Sequence, residues 1–208
     1  TTLFDTAFAL HFCSVALVES PMREAHKTAI AAARQAGAII SFDPNLRFPL
    51  WPDREALRRT VLEFLPLADI VKISDEELEF LTGTADIDTA LPTLFVGNVQ
   101  LVLYTCGSAG AHAYTRSAHG CAPCQPVRAV DTTGAGDCFT GYLIGMIAAG
   151  YPYQDALYAA TVADRAALAG LTAARLDKWL AFSNKFCGIS VQGSGAIASY
   201  PDAAQMGL

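Results

Sequence analysis

The chain has 208 residues, of which 52% are hydrophobic and only 16% are charged. This length is sufficient for one domain with a substantial core, and we predict a single domain over residues 1–208. A net charge of −6 lacks the basic character of proteins that bind DNA or RNA. No apolar run reaches the length of a membrane span and no signal peptide is visible at the start, so we expect neither nucleic-acid nor membrane partners.

Secondary-structure patterns alternate along the chain. Apolar runs predict strands over 10–17, 38–42, 68–73, 99–105 and 111–115. Capping signals and helical spacing predict helices over 21–36, 53–65, 74–81, 135–149, 154–169 and 174–187. Because the strands are continuously apolar, they favour an α/β fold with a mostly parallel sheet covered on both faces.

Ligands of such folds bind outside the carboxyl ends of the strands. Loops that begin at Asp43, Ser74, Gly107 and Asp131 are each expected to follow a strand. We therefore expect these four loops to converge on one cleft.

The cysteines form a second pattern. Most lie within apolar segments, as buried free thiols do, and this usage fits a reducing cytoplasm. The six are Cys13, Cys106, Cys121, Cys124, Cys138 and Cys187. Only Cys121 and Cys124 are close in sequence, and no second pair or suitably spaced histidines accompany them. Two loop thiols are therefore favoured over a structural zinc site.

The run 131–137, Asp-Thr-Thr-Gly-Ala-Gly-Asp, stands directly before an apolar helix. Small residues at a helix start present backbone N–H groups and the positive end of the helix dipole, which suit a phosphate. The carboxylate of Asp137 would repel that phosphate, so we predict that it removes a proton from an attacking nucleophile. The structural alternative is a plain helix cap by Asp131 or Thr133. The run matches neither a Walker loop nor the dinucleotide fingerprint, whose third glycine would stand at Phe139.

Two other loops have both a structural and a functional interpretation. Asp43, Asn45 and Arg47 form either a simple turn with a solvated arginine or a set of hydrogen-bonding groups facing a polyol or phosphate. Ser74 and Glu77 have the spacing of a helix capping box. The capping box is compatible with a ligand role, because a carboxylate in the first turn faces the same cleft.

Several of these segments resemble a known family. The run 131–137 is similar to the second signature of the ribokinase-like (PfkB) carbohydrate kinases. Residues 11–17, 41–51, 72–77 and 81–83 resemble its bacterial and plant fructokinase branch. The resemblance implies a three-layer α/β/α fold with a mostly parallel central sheet. Members run to about 300 residues, so we expect this chain to be the C-terminal two-thirds of the kinase domain.

The part expected to be absent holds the first strands, the β lid and an aspartate that grips the sugar. In a complete member a homodimer would form through that lid. The resemblance implies ATP-dependent phosphorylation of a sugar primary hydroxyl, most closely that of fructose. Other acceptors stay open, namely aminoimidazole riboside, 2-keto-3-deoxygluconate, ribose or another sugar, and so does a catalytically inactive structural relative. The implied partners are small molecules, a sugar and ATP.

The resemblance also assigns residues. Asp137 would be the catalytic base, and the amides of Ala135, Gly136 and Asp137, following Gly134, would form an anion hole. Asn45 and Arg47 would lie near the sugar and the transferred phosphoryl group. The nucleotide would contact Ser74, Thr105, Gly107, Gly110, Gly134, Gly136 and Asn184. Ser74 replaces a family asparagine, which weakens the expected side-chain contact with phosphate, and Cys106 in place of a leucine is a mild departure.

Two cations follow from the same resemblance. Glu77 would hold Mg²⁺ through water near the phosphates. A monovalent cation, K⁺, would be held by backbone carbonyls and one hydroxyl. These K⁺ ligands would come from Asp131, Thr133, Ser190, Gly193, Gly195 and Ser199. The stretch before Gly195 lacks the basic residue that members often carry there.

Overall fold

The computed structural model of the chain describes residues 2–5, 7–149, 168 and 170–207. Its contacts divide the chain into two compact units. The first contains the described residues up to Thr105 together with Tyr114–Ser117, Leu168 and Gly170. The second contains Cys106–Ala113, the described residues that follow Ser117 as far as Ala149, and those from Leu171 onward.

Four parallel strands form the centre of the first unit. These are β1 (Ala9–Cys13), β2 (Ile39–Asp43), β3 (Ile70–Ser74) and β4 (Leu101–Thr105). They pair side by side in chain order, which confirms the predicted parallel arrangement. All five residues of β2 are buried, as expected of a strand covered on both faces.

Four helices connect or follow these strands. They are α1 (Pro21–Gln35), α2 (Arg54–Phe64), α3 (Asp75–Thr82) and α4 (Ile87–Leu94). The Asp53 carboxylate accepts the Ala56 N–H at 2.6 Å and so caps α2, as the sequence suggests. The predicted bounds of α1, α2 and α3 agree with the structure to within about a residue. The helix α4 was not predicted, because Pro92 lies inside it and its cap at Asp86 was overlooked.

Aromatic packing holds the core of the first unit. Phe12 of β1 stacks on Phe42 of β2 with ring centroids 4.6 Å apart, and its edge meets Phe64 of α2 at 6.1 Å. All three rings are buried. Such pairs contribute about 0.5–1.5 kcal/mol beyond the burial of their area. The strands are thereby fixed against α2, and their carboxyl ends keep a defined register.

The second unit contains the remaining described elements. They are β5 (Ala111–Tyr114, whose last residue belongs to the first unit), β6 (His119–Ala122), α5 (Ala135–Ala149), α6 (Ala173–Ser190) and α7 (Ala203–Met206). Helix α6 packs against both α5 and β6, and Trp179 of α6 is buried. The predicted helix 154–169 lies outside the described residues, except for Leu168.

The segment before Asp131 is a correction to the sequence analysis. Residues 127–130 form no strand, although the loop at Asp131 was expected to follow one. Val127 and Val130 are exposed, and Pro123 and Pro126 remove backbone donors that a strand would need. The nearest preceding strand is β6, which was not predicted because its four residues carry no continuous apolar run.

Across the described part of the chain, none of the helices is both long and apolar enough to cross a lipid bilayer.

Candidate active site

Three charged side chains meet in the first unit, and we call Asp43, Lys72 and Glu77 the polar cluster. The Lys72 ammonium lies 3.4 Å from Asp43 Oδ2 and 3.7 Å from Glu77 Oε2. Phe42 of β2 pairs with Val71 of β3, so the next residues, Asp43 and Lys72, come side by side where β2 ends. All three side chains are almost completely buried, and only mutual pairing makes that arrangement tolerable.

Glu77 joins the start of α3 to the loop after β2. Its Oε2 accepts the Ser74 N–H at 2.9 Å, and the Ser74 hydroxyl accepts the Glu77 N–H at 3.2 Å. This is the predicted capping box, and the structure confirms it. The other oxygen, Oε1, accepts the Leu46 N–H at 3.1 Å. The loops that begin at Asp43 and Ser74 therefore lie together, as expected of neighbouring parallel strands.

The Asp43 carboxyl group has a shifted pKa. Burial raises its pKa to about 6, and the negative charge of Glu77 acts in the same direction. The Lys72 ammonium and the Asn45 N–H, which donates to Asp43 Oδ1 at 3.0 Å, oppose that rise. This carboxyl group therefore changes its charge near pH 6 while it supports the loop.

The two predicted sugar-side residues lie on that loop. Asn45 is half-buried and adopts a positive φ of 44°, a conformation that asparagine tolerates better than most residues. Arg47 is exposed, and its guanidinium donates to the Leu46 carbonyl at 3.1 Å. The loop thus presents an amide and a guanidinium next to the polar cluster, both able to donate hydrogen bonds.

The turn after Thr105 is closed by its own backbone. The Cys106 N–H donates to the Gly110 carbonyl at 2.9 Å, and the Gly110 N–H donates to the Gly107 carbonyl at 3.3 Å. Gly107 and Gly110 have φ values of 51° and 111°. A Cβ at Gly110 would overlap the backbone of Ala122, so glycine is required there.

Asn184 lies buried on α6 in the second unit. Its side-chain nitrogen donates to the carbonyls of Ala122 at 2.8 Å and Pro123 at 3.4 Å. The amide therefore fixes the segment that follows β6. The sequence analysis predicted only a contact of Asn184 with the nucleotide, so this structural role is an addition to it.

The glycine-rich run 131–137 folds as a tight turn into α5. The Thr133 N–H donates to Asp131 Oδ1 at 2.9 Å, and the Ala135 N–H donates to the Thr132 carbonyl at 3.1 Å. Gly134 has a φ of 75° and leads into the helix. A side chain there would place a Cβ 2.9 Å from the Cβ of Ala196, in a conformation that only glycine adopts readily.

The first turn of α5 presents the groups that the motif predicts. The Gly136 and Asp137 N–H groups have no carbonyl four residues back within the helix, because α5 begins at Ala135. The Ala135 N–H is engaged in the turn described above. The Asp137 side chain is exposed beside these amides. Two backbone N–H groups and a carboxylate thus lie in one helical turn, at the positive end of the helix dipole.

Segments that carry the predicted K⁺ ligands contact one another in the second unit. Gly195 N–H donates to Asp131 Oδ2 at 2.9 Å, and the hydroxyls of Ser190 and Ser199 are 2.8 Å apart. A Cβ on Gly193 would lie 2.9 Å from the Cβ of Ser199. Hydrogen bonds from the Thr133 hydroxyl and the Gly195 amide keep the pKa of Asp131 below its ordinary value.

The predicted residues therefore form two groups, one in each unit. The polar cluster was missed, although a lysine within the apolar run 70–73 is a signal that could have revealed it. Within the described ranges, no three His, Cys, Asp or Glu side chains converge to hold a metal ion directly.

Comparisons with known proteins agree with this architecture. The chain is 41% identical over 201 residues to the probable fructokinase-2 of Arabidopsis thaliana, covering 96% of the chain and 56% of that relative. The crystal structure of fructokinase with bound ATP from Xylella fastidiosa superposes with a TM-score of 0.84 at 31% identity, covering 98% of the chain and 61% of that structure.

A second solved structure has the same fold. It is a double mutant of fructokinase from Vibrio cholerae O395 in a fructose, ADP and potassium ion bound form, with a TM-score of 0.78 and 32% identity. The match covers 96% of this chain and 59% of that one. The chain thus has the ribokinase-like α/β/α fold, and it spans less than two-thirds of the length of these relatives. The model of the pfkB family carbohydrate kinases matches residues 2–168, and the chain belongs to that family.

Proposed function

We propose that the chain carries the phosphate-binding and proton-abstracting part of an ATP-dependent kinase that phosphorylates a primary hydroxyl of fructose. The observation that carries this proposal is the first turn of α5, where the Gly136 and Asp137 amides lie beside the exposed Asp137 carboxylate. The fructokinase names of the relatives and solved structures support fructose as the acceptor.

In the proposed reaction the hydroxyl oxygen of the sugar attacks the γ-phosphorus of ATP. The bond between that phosphorus and the bridging oxygen breaks, ADP leaves, and the hydroxyl proton passes to the Asp137 carboxylate. The amides of Gly136 and Asp137 stabilise the charge on the transferred group, as a helix start does for anions. Phosphoryl transfer depends mainly on such positioning and charge stabilisation, and a general base adds about 10²–10⁴-fold.

The sugar side of the proposed site lies on the loop after β2. Arg47 and Asn45 offer N–H donors to a polyol or to the phosphoryl group. Glu77 accepts the Ser74 and Leu46 amides, and the Lys72 ammonium lies 3.7 Å from its Oε2. The carboxylate of Glu77 is thus held in a fixed orientation by its neighbours.

The remaining predicted residues are proposed to bind the nucleotide and the cations. By resemblance to the family, Glu77 would hold Mg²⁺ through water, and each of its carboxylate oxygens keeps one lone pair for that contact beside its amide bond. The K⁺ ligand set is proposed by resemblance to the family, and contacts between Asp131 and Gly195 and between Ser190 and Ser199 support it. Mg²⁺ would neutralise phosphate charge when bound. ATP would contact the segment 105–110, Ser74 and Asn184.

Localisation and assembly complete the proposal. The cysteine usage favours a reducing cytoplasm, and a homodimer formed through the family's β lid is proposed by resemblance alone.

The test is a phosphorylation assay on the expressed gene product with ATP and a panel of acceptors. The panel contains fructose, glucose, ribose, aminoimidazole riboside and 2-keto-3-deoxygluconate. We expect fructose to give the highest kcat/KM. If only another acceptor is phosphorylated, fructose is rejected as the substrate and the kinase activity is retained. Failure to bind a non-hydrolysable ATP analogue by calorimetry would identify an inactive structural relative.

A further inference from the structure

Two cysteine thiols meet directly beside the proposed catalytic turn. Cys138, which follows Asp137 in the first turn of α5, has its sulfur 3.0 Å from the sulfur of Cys187 in the last turn of α6. The sequence separates them by 49 residues. A separation of 3.0 Å is a hydrogen-bond contact between thiols and leaves only about 1 Å to a disulfide bond.

The surroundings hold the two sulfurs in place. Both thiols reach the Ala135 carbonyl, at 3.3 Å from Cys138 and 3.1 Å from Cys187. One turn further along α5, the ring of Tyr142 stacks on that of Phe186 with centroids 4.6 Å apart. The helices therefore face each other at this level, and the sulfur pair is a fixed feature of their packing.

We propose that Cys138 and Cys187 are an oxidative modification site, at which a hydroperoxide converts the two thiols into a disulfide that joins α5 to α6. The two thiols differ in access, since Cys187 is half-buried whereas Cys138 is only 2% exposed. Cys187 is thus the thiol that meets the peroxide, and Cys138 is the thiol that completes the bond.

The chemistry balances with hydrogen peroxide as the oxidant. The Cys187 thiolate attacks one peroxide oxygen, an S–O bond forms, the O–O bond breaks, and hydroxide leaves and is protonated to water. The Cys138 thiolate then attacks the Cys187 sulfur, the S–S bond forms, and the S–O bond breaks with release of a second water. Two thiols lose two electrons in total and one peroxide gains them. A dithiol reductant reverses the change by exchange.

The disulfide should also slow the proposed phosphoryl transfer, and this part of the inference rests on the proposed function. Closing the sulfur–sulfur contact draws the first turn of α5 toward α6 and moves the neighbouring Asp137 carboxylate. A displacement of about 1 Å at a reacting group costs up to about 100-fold in rate. We therefore expect the oxidised protein to transfer phosphate about 10- to 100-fold more slowly than the reduced protein.

Cys121 and Cys124 are the competing pair. Cys121 is exposed, and the Cys124 thiol donates to the Gly107 carbonyl at 3.6 Å. Their spacing permits a loop disulfide, so any test has to separate the two pairs. The double variant Cys121→Ser/Cys124→Ser serves as the matched control, because it removes two thiols and leaves the pair between the helices intact.

The experiment treats the purified protein with equimolar hydrogen peroxide, blocks remaining thiols and maps the peptides by mass spectrometry. We expect a crosslink between the peptides of Cys138 and Cys187, reversed by dithiothreitol and retained in the loop control. Cys187→Ser and Cys138→Ala should each lack it, with circular dichroism confirming that both variants fold.

A crosslink confined to Cys121 and Cys124, or no crosslink under these conditions, overturns the proposal. Mapping decides this even when the protein shows no kinase activity, so the outcome is independent of the proposed function. Where kinase activity is measured, equal rates for the crosslinked and reduced forms would overturn the effect on catalysis. Loss of activity on oxidation in the Cys187→Ser variant would overturn it as well.

Discussion

The ammonium group of Lys72 lies 3.4 Å from the carboxylate of Asp43, with both side chains almost completely excluded from water. The two residues are 29 positions apart in sequence and meet because β2 and β3 pair in parallel register. A buried ion pair of this kind matters most when one partner is removed, since the remaining charge then has no counterpart.

Replacement of Lys72 by Met should lower the free energy of unfolding by about 3–5 kcal/mol, because Asp43 and Glu77 would be left buried without their cation. Urea unfolding followed by circular dichroism measures the change. Lys178→Met is the control, since Lys178 is exposed on α6 and should change stability by no more than about 0.5 kcal/mol. Similar losses for both variants would contradict the role of the polar cluster.

Asp43 should make stability depend on pH in the mildly acidic range. Its pKa of about 6 in the folded protein exceeds the ordinary value of 3.8, so between these values the folded state binds more protons than the unfolded state. The contribution of Asp43 to the free energy of unfolding is therefore fully present below about pH 4. It falls by about 3 kcal/mol as the pH rises through about 6.

The measurement compares unfolding free energies of the wild type and Asp43→Asn from pH 4 to pH 7. The unfolding free energy of the wild type minus that of the variant should decline from pH 4 to pH 7. An acid with a lowered pKa, such as Asp131, would give a change of the opposite sign. A flat difference would contradict the burial of an ionisable Asp43.

Replacement of Gly134 by Ala should destabilise the protein by about 1–3 kcal/mol and abolish nucleotide binding. The reason is its φ of 75° and the Cβ of Ala196, which a new methyl group would meet at 2.9 Å. Thermal unfolding and calorimetry with an ATP analogue measure the two effects. Gly141→Ala is the control, since a Cβ there meets nothing within 4 Å and should stabilise α5 by about 0.5–1 kcal/mol.

Asp137→Asn should lower kcat by about 10²–10⁴-fold and leave ATP affinity nearly unchanged, because the amide cannot take the hydroxyl proton while the helix start still binds phosphate. Steady-state kinetics with fructose and calorimetry with an ATP analogue provide the two readouts. Asp88→Asn, an exposed first-turn carboxylate on α4, should change neither value. Wild-type kcat in the Asp137→Asn variant would remove Asp137 as the base.

The sequence predicted local features well and long-range ones poorly. The capping box of Ser74 and Glu77 was predictable because its partners lie within one helical turn. The start of α5 was predictable because glycines and an aspartate mark it. In contrast, α4 contradicts the usual exclusion of proline from helices, and the partner of Lys72 depends on strand register, which no local pattern reveals.

The thiol contact shows the same limit. Cys138 and Cys187 each read as buried cysteines in apolar surroundings, and only the packing of α5 against α6 places them together. The hydrogen bond from the Asn184 side chain to the carbonyl of Ala122 likewise could not be predicted from the sequence, since 62 residues separate its partners.

The bonds between Asp131 and the segment 191–195 have a consequence for the synthesis of the chain. The N–H groups of Val130 and Asp131 both donate to the Val191 carbonyl, and the Gly195 N–H donates back to Asp131 across 64 residues. The glycine-rich turn therefore acquires these restraints only after residue 195 has left the ribosome. Nascent chains that stall earlier lack these hydrogen bonds, so the proposed phosphate site becomes ordered only after residue 195 has been made.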